Sequence, residues 1–227
     1  MMKSEEYALM PLLFGLTLVS GLIDAVSFLR LGHVFVANMT GNVVLLGFAI
    51  AGAPGISIAG SFVAIAAFLV GAIIGGRLSR RHAAEAARLL VATTLVKIVL
   101  MLLSAAIAWF FGAGGYVAYA ITFVLGISMG LQNAAVRSIA IPDITTTVVT
   151  QTITGIGADL PLAGGTNTRL RRRILSVTVM FAGALAGALL LYRLGIAATL
   201  AAAALTLLAV SVWAARLTAA AGPRYPA

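Results

Sequence analysis

Phe35-Val-Ala-Asn-Met-Thr-Gly-Asn-Val-Val-Leu-Leu-Gly47 sets Asn38, Thr40 and Asn42, with Gly41 between them, inside an apolar part of the chain. The theme returns at residues 145–157, Thr-Thr-Thr-Val-Val-Thr-Gln-Thr-Ile-Thr-Gly-Ile-Gly, where Thr150, Gln151, Thr152 and Thr154 stand together. A matching lead-in precedes each stretch: Gly21-Leu-Ile-Asp-Ala-Val and Gly130-Leu-Gln-Asn-Ala-Ala. The two stretches read as copies of one element, and the rest of the chain as a scaffold around them.

Of 227 residues, 62% are hydrophobic and only 9% charged, and the mean hydropathy is +1.11. Soluble domains carry about 25% charged residues. Too little polar surface remains to cover a globule in water, so the composition predicts an integral membrane protein with many spans. The net charge of +9 is no nucleic-acid signature here. The arginines cluster at the ends of apolar segments, as cytoplasmic loops require, and no soluble domain is left to present a basic face. Cysteine is absent, which excludes disulfides, thiol catalysis and cysteine-bound metal. The N-terminus carries Lys3 but also Glu5 and Glu6, with no small-residue cleavage site after the first apolar run. That run is expected to be a first span rather than a removed signal peptide.

Spans are expected at 7–29, 58–76, 89–111, 116–136, 174–192 and 194–215, and polar-centred segments at 34–52 and 142–162. The repeat extends beyond the opening motif. Val70-Gly-Ala-Ile-Ile-Gly75 matches Ala182-Gly-Ala-Leu-Ala-Gly187, each a G-x-x-x-G face suited to close helix contact in lipid. The offset between copies drifts only from about 109 to 112 residues. The expected fold is all-α: a polytopic membrane protein of about six transmembrane helices plus two polar broken or re-entrant segments. It forms one membrane domain over 1–227, with repeat 1 at about 7–111 and repeat 2 at about 116–215.

Positive charge decides the topology. If all eight apolar segments crossed, seven Lys and Arg would face each side, with Lys97 in the membrane. If neither polar segment crosses, only Arg30 and Arg193 lie outside and twelve lie inside, as the positive-inside rule favours. A model in which only 34–52 crosses scores the same, but the repeat argues that the two copies behave alike. The first half then runs outward and the second inward. Such inverted repeats recur in channels and secondary transporters, with the site where the broken elements meet near the midplane.

Broken helix is tolerated in lipid only where protein or water covers it. Gly41, Gly47, Pro142, Gly155 and Gly157 are positions where the polar segments could break. Asn38, Thr40, Asn42, Thr150, Gln151, Thr152 and Thr154 offer donors and acceptors to a small polar solute. The same residues could instead only tie helices together. Asp24 and Lys97 lie inside spans, where a charge costs at least ~2.5–3.5 kcal/mol at the centre and marks a partner or a water path. They form an ion- or proton-coupled site, a structural Asp–Lys pair, or, for Lys97, a snorkelling interfacial residue. Asn133 is the counterpart of Asp24 in the second copy, so the pseudo-symmetry breaks at one carboxylate. Asp143 is expected to cap the second broken helix, and Asp159 to bind a cation or pair with nearby arginines. His33 and His82 sit at segment ends with no metal-pair spacing, and no P-loop, zinc motif, G-x-S-x-G or dinucleotide fingerprint occurs.

At Gly21–Val26, Asn38–Asn42, Gly130–Val136, Pro142–Thr147 and Thr150–Asp159 the chain resembles the YoaK-like family of small bacterial integral membrane proteins. The resemblance runs over nearly the whole chain. It implies about six spans and the bacterial inner membrane, and supplies neither a substrate nor residue roles. The expected function is a small-solute transporter or channel. The alternative is a non-transport membrane protein acting as an assembly or interaction partner, whose polar segments only lock helices. No catalytic set, cofactor or metal is expected. The expected partners are the lipid bilayer, a small polar solute and, as an option, further copies of the chain, but not nucleic acid.

Overall fold

The computed structural model describes residues 2–81, 86–139, 149–166 and 169–220. Asp143, Pro142 and His82 lie outside the described residues, so the capping expected at Asp143 is not addressed. All regular structure among the described residues is helical. In order come α1 (Met2–Arg30), α2 (Met39–Ile50), α3 (Ile58–Arg81), α4 (Ala86–Phe111), α5 (Tyr116–Ile139), α6 (Val149–Ala158) and α7 (Leu170–Ala220), with a 3-10 turn at Pro161–Ala163 between the last two.

Five helices are long and apolar enough to cross a bilayer. The last, α7, has 51 residues. Straight, it would reach about 77 Å, against a hydrocarbon layer of about 30 Å. Gly195 breaks it with φ 82°, ψ 178°, a conformation an L-residue rarely adopts. Around α1 the two arms fold back on each other. Gly21 lies against Met180 and Ala184 of the first arm, and Gly15 against Val210 of the second. The last two expected spans are thus present, joined by one glycine rather than a loop. Arg30, Gly112 and Gly195 line one small pocket, which gathers the end of α1, the α4–α5 turn and the α7 fold at the same end of the bundle.

α1 is the centre. Leu12, Leu13, Leu16, Val19 and Ile23 are buried with Met101 of α4, Ile121 and Leu125 of α5, and Leu200 and Leu207 of α7. Phe62, Leu69, Phe110 and Trp213 are exposed on the outside, the arrangement expected where lipid, not water, is the solvent.

Small residues set the helix contacts. The main interfaces are α1 on α7 and α3 on α5. A Cβ on Gly183 would collide with the Leu18 carbonyl, and one on Gly71 with the Ile127 carbonyl. A Cβ on Gly187 would lie 2.8 Å from the Leu22 carbonyl oxygen, and one on Gly75 2.7 Å from the Leu131 oxygen. Gly21 is backed by Met180 and Ala184, as Gly130 is by Phe68 and Ala72. Each contact recurs at the sequence offset of the repeat, with the halves exchanged. The G-x-x-x-G faces therefore meet neighbouring backbone, as their spacing predicts.

The first polar segment differs in detail from its sequence reading. The expectation that Gly41 and Gly47 break it is corrected: both lie inside the continuous helix α2, and the irregular backbone is the preceding 31–38. Gly155 and Gly157 likewise lie inside α6. The Gly41 N–H is taken by the Asn38 side chain and the other three glycines continue regular helix, so no break is needed there. The reversal after α1 uses consecutive left-handed residues, Gly32 (φ 96°) and His33 (φ 56°). α2 ends in a Schellman pattern, with Ala53 N–H on Phe48 O and Gly52 N–H on Ala49 O, both 3.0 Å. His33 Nδ1 then meets Gly55 O at 2.8 Å, so the segment leaves at the end where it entered. Ends that lie together are what a re-entrant segment requires, and a crossing one would hold them apart. α2 has 12 residues, about 18 Å, too short to cross a ~30 Å hydrocarbon layer.

Candidate functional site

The irregular stretch 31–38 must satisfy its backbone inside the protein. Asp24, on α1, supplies part of that. Its Oδ1 accepts from Val36 N–H at 3.2 Å and from Ala37 N–H at 3.1 Å. Asn42, on α2, supplies the rest. Its Oδ1 accepts from Phe35 N–H at 2.8 Å and its Nδ2 donates to Phe35 O at 2.5 Å, the reciprocal pattern of a strand pair. Asn38 caps α2, its Oδ1 accepting from Gly41 N–H at 3.1 Å. Gly41 has no side chain because Phe35 fills the place: a Cβ there would lie 2.9 Å from the ring. Phe35 stacks in turn on Phe28, with ring centroids 4.9 Å apart.

The N-terminal end of α2 faces a cavity of about 1120 Å³. Asn38, Thr40 and Gly41 come to it from α2, and Val149, Thr150 and Gln151 from the start of α6. α1 adds Asp24 and Phe28, α5 adds Asn133, and Met180 and Ala184 of α7 form part of the wall. Two short helices from opposite halves of the chain thus bring their N-terminal residues to one space beside a carboxylate. Helix N-termini present free N–H groups and a partial positive potential.

Behind this wall lies a second polar layer. Lys97 of α4 is fully buried. Its Nζ donates to Gln132 Oε1 and lies 3.3 Å from Met129 Sδ. Gln132 Nε2 donates to Ser20 Oγ at 3.3 Å, one turn from Asp24 on α1. Among the described residues no ion pair joins Asp24 to Lys97. Burial at 0% exposure also rules out a snorkelling Lys97. At the far end of α6, Arg173 Nη1 donates to Gly155 O and to Asp159 Oδ2, both at 2.5 Å. Asp159 is therefore paired with an arginine, the second of its two expected roles.

A family model described as "Protein of unknown function (DUF1275)" matches residues 12–213. The chain belongs to the DUF1275 family. It is similar to the UPF0700 transmembrane protein YoaK of Bacillus subtilis (strain 168), at 35% identity over 145 residues. That match covers 64% of this chain and 64% of the relative. No solved structure matches the chain. Membership agrees with the resemblance read from the motifs, and with a multi-pass membrane protein.

Within this DUF1275 chain the structure sorts the ten sequence-selected residues. Asp24, Asn38, Thr40, Asn133, Thr150 and Gln151 line the cavity. Asn42 does not, because Phe35 occupies both atoms of its amide. Lys97 lies a layer behind, and Thr152 is buried away from the cavity at 5% exposure. Thr154 is exposed and does not line it either. Sequence reasoning missed the aromatic wall of Phe28, Phe35 and Phe68. Phe35 stood inside the quoted motif, but an apolar residue in an apolar chain carries no signal of its own.

Proposed function

We propose that this protein is a small-solute transporter or channel of the bacterial inner membrane, built from two inverted repeats whose half-helices α2 and α6 frame the solute site. The observation that carries the reading is the 1120 Å³ cavity at the N-terminal residues of both half-helices. A dry, fully bonded contact between them would have favoured a purely structural role. The exchanged glycine contacts support the repeat: Gly21 and Gly130 meet the partner repeat alike, as do Gly71 and Gly183. In that arrangement the arginine-rich ends face the cytoplasm and the Arg30–Gly195 end faces outward. Half-helices meeting near the midplane are a recurrent way to build a solute site in transporters.

The test is stopped-flow osmotic swelling of proteoliposomes holding the purified chain, across a panel of small polar solutes. At least one solute should enter faster than into empty liposomes. Thr40→Trp, which places a large ring at an exposed cavity-lining position, should abolish that entry while leaving the melting temperature unchanged. Wild-type vesicles no more permeable than empty ones, or full permeation through Thr40→Trp, would sink the proposal.

A further inference from the structure

The two hydrogen bonds that reach the Asp24 carboxylate both end on Oδ1. Among the described residues no hydrogen bond or ion pair reaches Oδ2. Asp24 is 8% exposed and lines the cavity. A carboxylate more than nine-tenths buried thus keeps one oxygen for whatever enters. A ligand that donates to Oδ2 from the cavity makes a charge-assisted hydrogen bond with a largely buried carboxylate.

The rest of the wall narrows the chemistry. Among the described residues no lysine or arginine lines the cavity. Lys97 is kept out by its bonds to Gln132 and Met129. Coulomb energy falls with distance, so a solute touching Asp24 is attracted more strongly than the more distant Lys97 repels it. The side chains facing the space beside Asp24 are neutral amides and hydroxyls, and Phe28, Phe35 and Phe68 add three aromatic rings. Aromatic faces attract organic cations within about 6 Å. A bare metal ion fits poorly, since Mg²⁺ or Ca²⁺ wants about six to eight oxygen ligands at close range and one carboxylate supplies few. A helix N-terminus would draw an anion, but at α2 Asn38 already takes the Gly41 N–H, and the Asp24 carboxylate, bonded to Val36 and Ala37 of the loop just before the helix, sets a negative charge beside it.

We infer that the cavity binds a small organic cation, an ammonium-bearing solute held by Asp24 Oδ2 and packed against the phenylalanine rings. This deepens the transport reading by naming its solute class. The two can fail separately, because binding is read in detergent and transport in vesicles.

Asp24→Asn is the informative variant. Its Oδ1 can still accept from Val36 and Ala37, so the loop keeps its anchor, while the charge is gone and the group facing the cavity becomes a donor. The full-length protein in detergent would be titrated by calorimetry with ethylammonium and tetramethylammonium chlorides, and with potassium acetate and urea at matched ionic strength. Saturable binding of an ammonium salt is expected, at least about tenfold weaker in Asp24→Asn, a loss of about 1.4 kcal/mol. Phe28→Leu should weaken tetramethylammonium more than ethylammonium. The inference is overturned if acetate or urea binds and the ammonium salts do not, if none of the four binds, or if Asp24→Asn binds them as well as the parent. Ammonium binding without vesicle flux would refute transport and leave the cation site standing. Flux of an anion without ammonium binding would do the reverse.

Discussion

Removing the Asp24 carboxylate while keeping the chain otherwise intact should separate its two structural contributions. Asp24→Ala strips the acceptor from Val36 N–H and Ala37 N–H, now 3.2 and 3.1 Å from Oδ1. Both residues are buried, Val36 at 0% and Ala37 at 6% exposure. Each orphaned donor costs about 1–3 kcal/mol, so Asp24→Ala should lose about 2–6 kcal/mol. That is a large part of a marginal stability. Asp24→Asn keeps the acceptor. It exchanges charge-assisted bonds for neutral ones, and at the same time removes a charge that is costly to bury. These changes oppose each other, and the variant should stay within about 1 kcal/mol of the parent. Thermal melts of the purified proteins in one detergent, followed by intrinsic fluorescence, would rank the three. Asp24→Ala should melt at least several degrees below the others. An alanine variant as stable as the parent would show that the loop does not lean on α1. Equal loss in Asn and Ala would show that the charge, not the acceptor, holds it.

Further expectations follow from the same geometry. Gly21→Ala and Gly130→Ala should each cost about 1–3 kcal/mol by overpacking, and by similar amounts, since their surroundings match across the repeat. A melt that drops for one and not the other would count against the pseudo-symmetry. Arg173→Gln should destabilise by about 1–2 kcal/mol, discounted because Asp159 is half exposed. Proteolysis of α6 should quicken with it, and an unchanged digestion rate would show that the arginine is dispensable. Reporter fusions placed after Arg88 and after Arg173 should both read cytoplasmic; opposite readings would end the inverted arrangement.

Much of the fold was legible because lipid imposes simple rules. Span length follows from bilayer thickness, and glycine spacing from close backbone approach. That is why the spacing of Gly71, Gly75, Gly183 and Gly187 alone places them against neighbours. What was not legible was where each half-helix begins. Gly41 and Gly47 look like breaks in the sequence, yet both sit in regular helix. Gly41 serves the Phe35 ring instead, a long-range steric reason that no local propensity carries. Asn42 illustrates the same limit. A polar side chain in an apolar segment marks a point that must be satisfied, but its spacing does not say by what. Here it is the Phe35 backbone seven residues earlier.

The pattern of symmetry and its one departure bear on how such a site could work. Backbone contacts between α1 and α7 repeat between α3 and α5 almost residue for residue, so the scaffold treats the two halves alike. The corresponding polar side chains do not match. Asp24 turns toward the loop before α2, accepting from Val36 and Ala37, whereas Asn133 Nδ2 donates to Met129 O on its own helix. Under the proposed function, a symmetric frame would give two related ways for half-helices to pack about a shared site, as alternating access requires. A ligand shifts such an equilibrium only through a difference in its interactions with the two states. The lone carboxylate is a feature that can supply that difference: its Oδ1 is committed to one repeat's loop while its second oxygen remains open to the cavity. Anything that binds Asp24 would therefore touch the same side chain that fixes the entry to α2, and under the proposed function solute occupancy and loop position would be coupled through one residue.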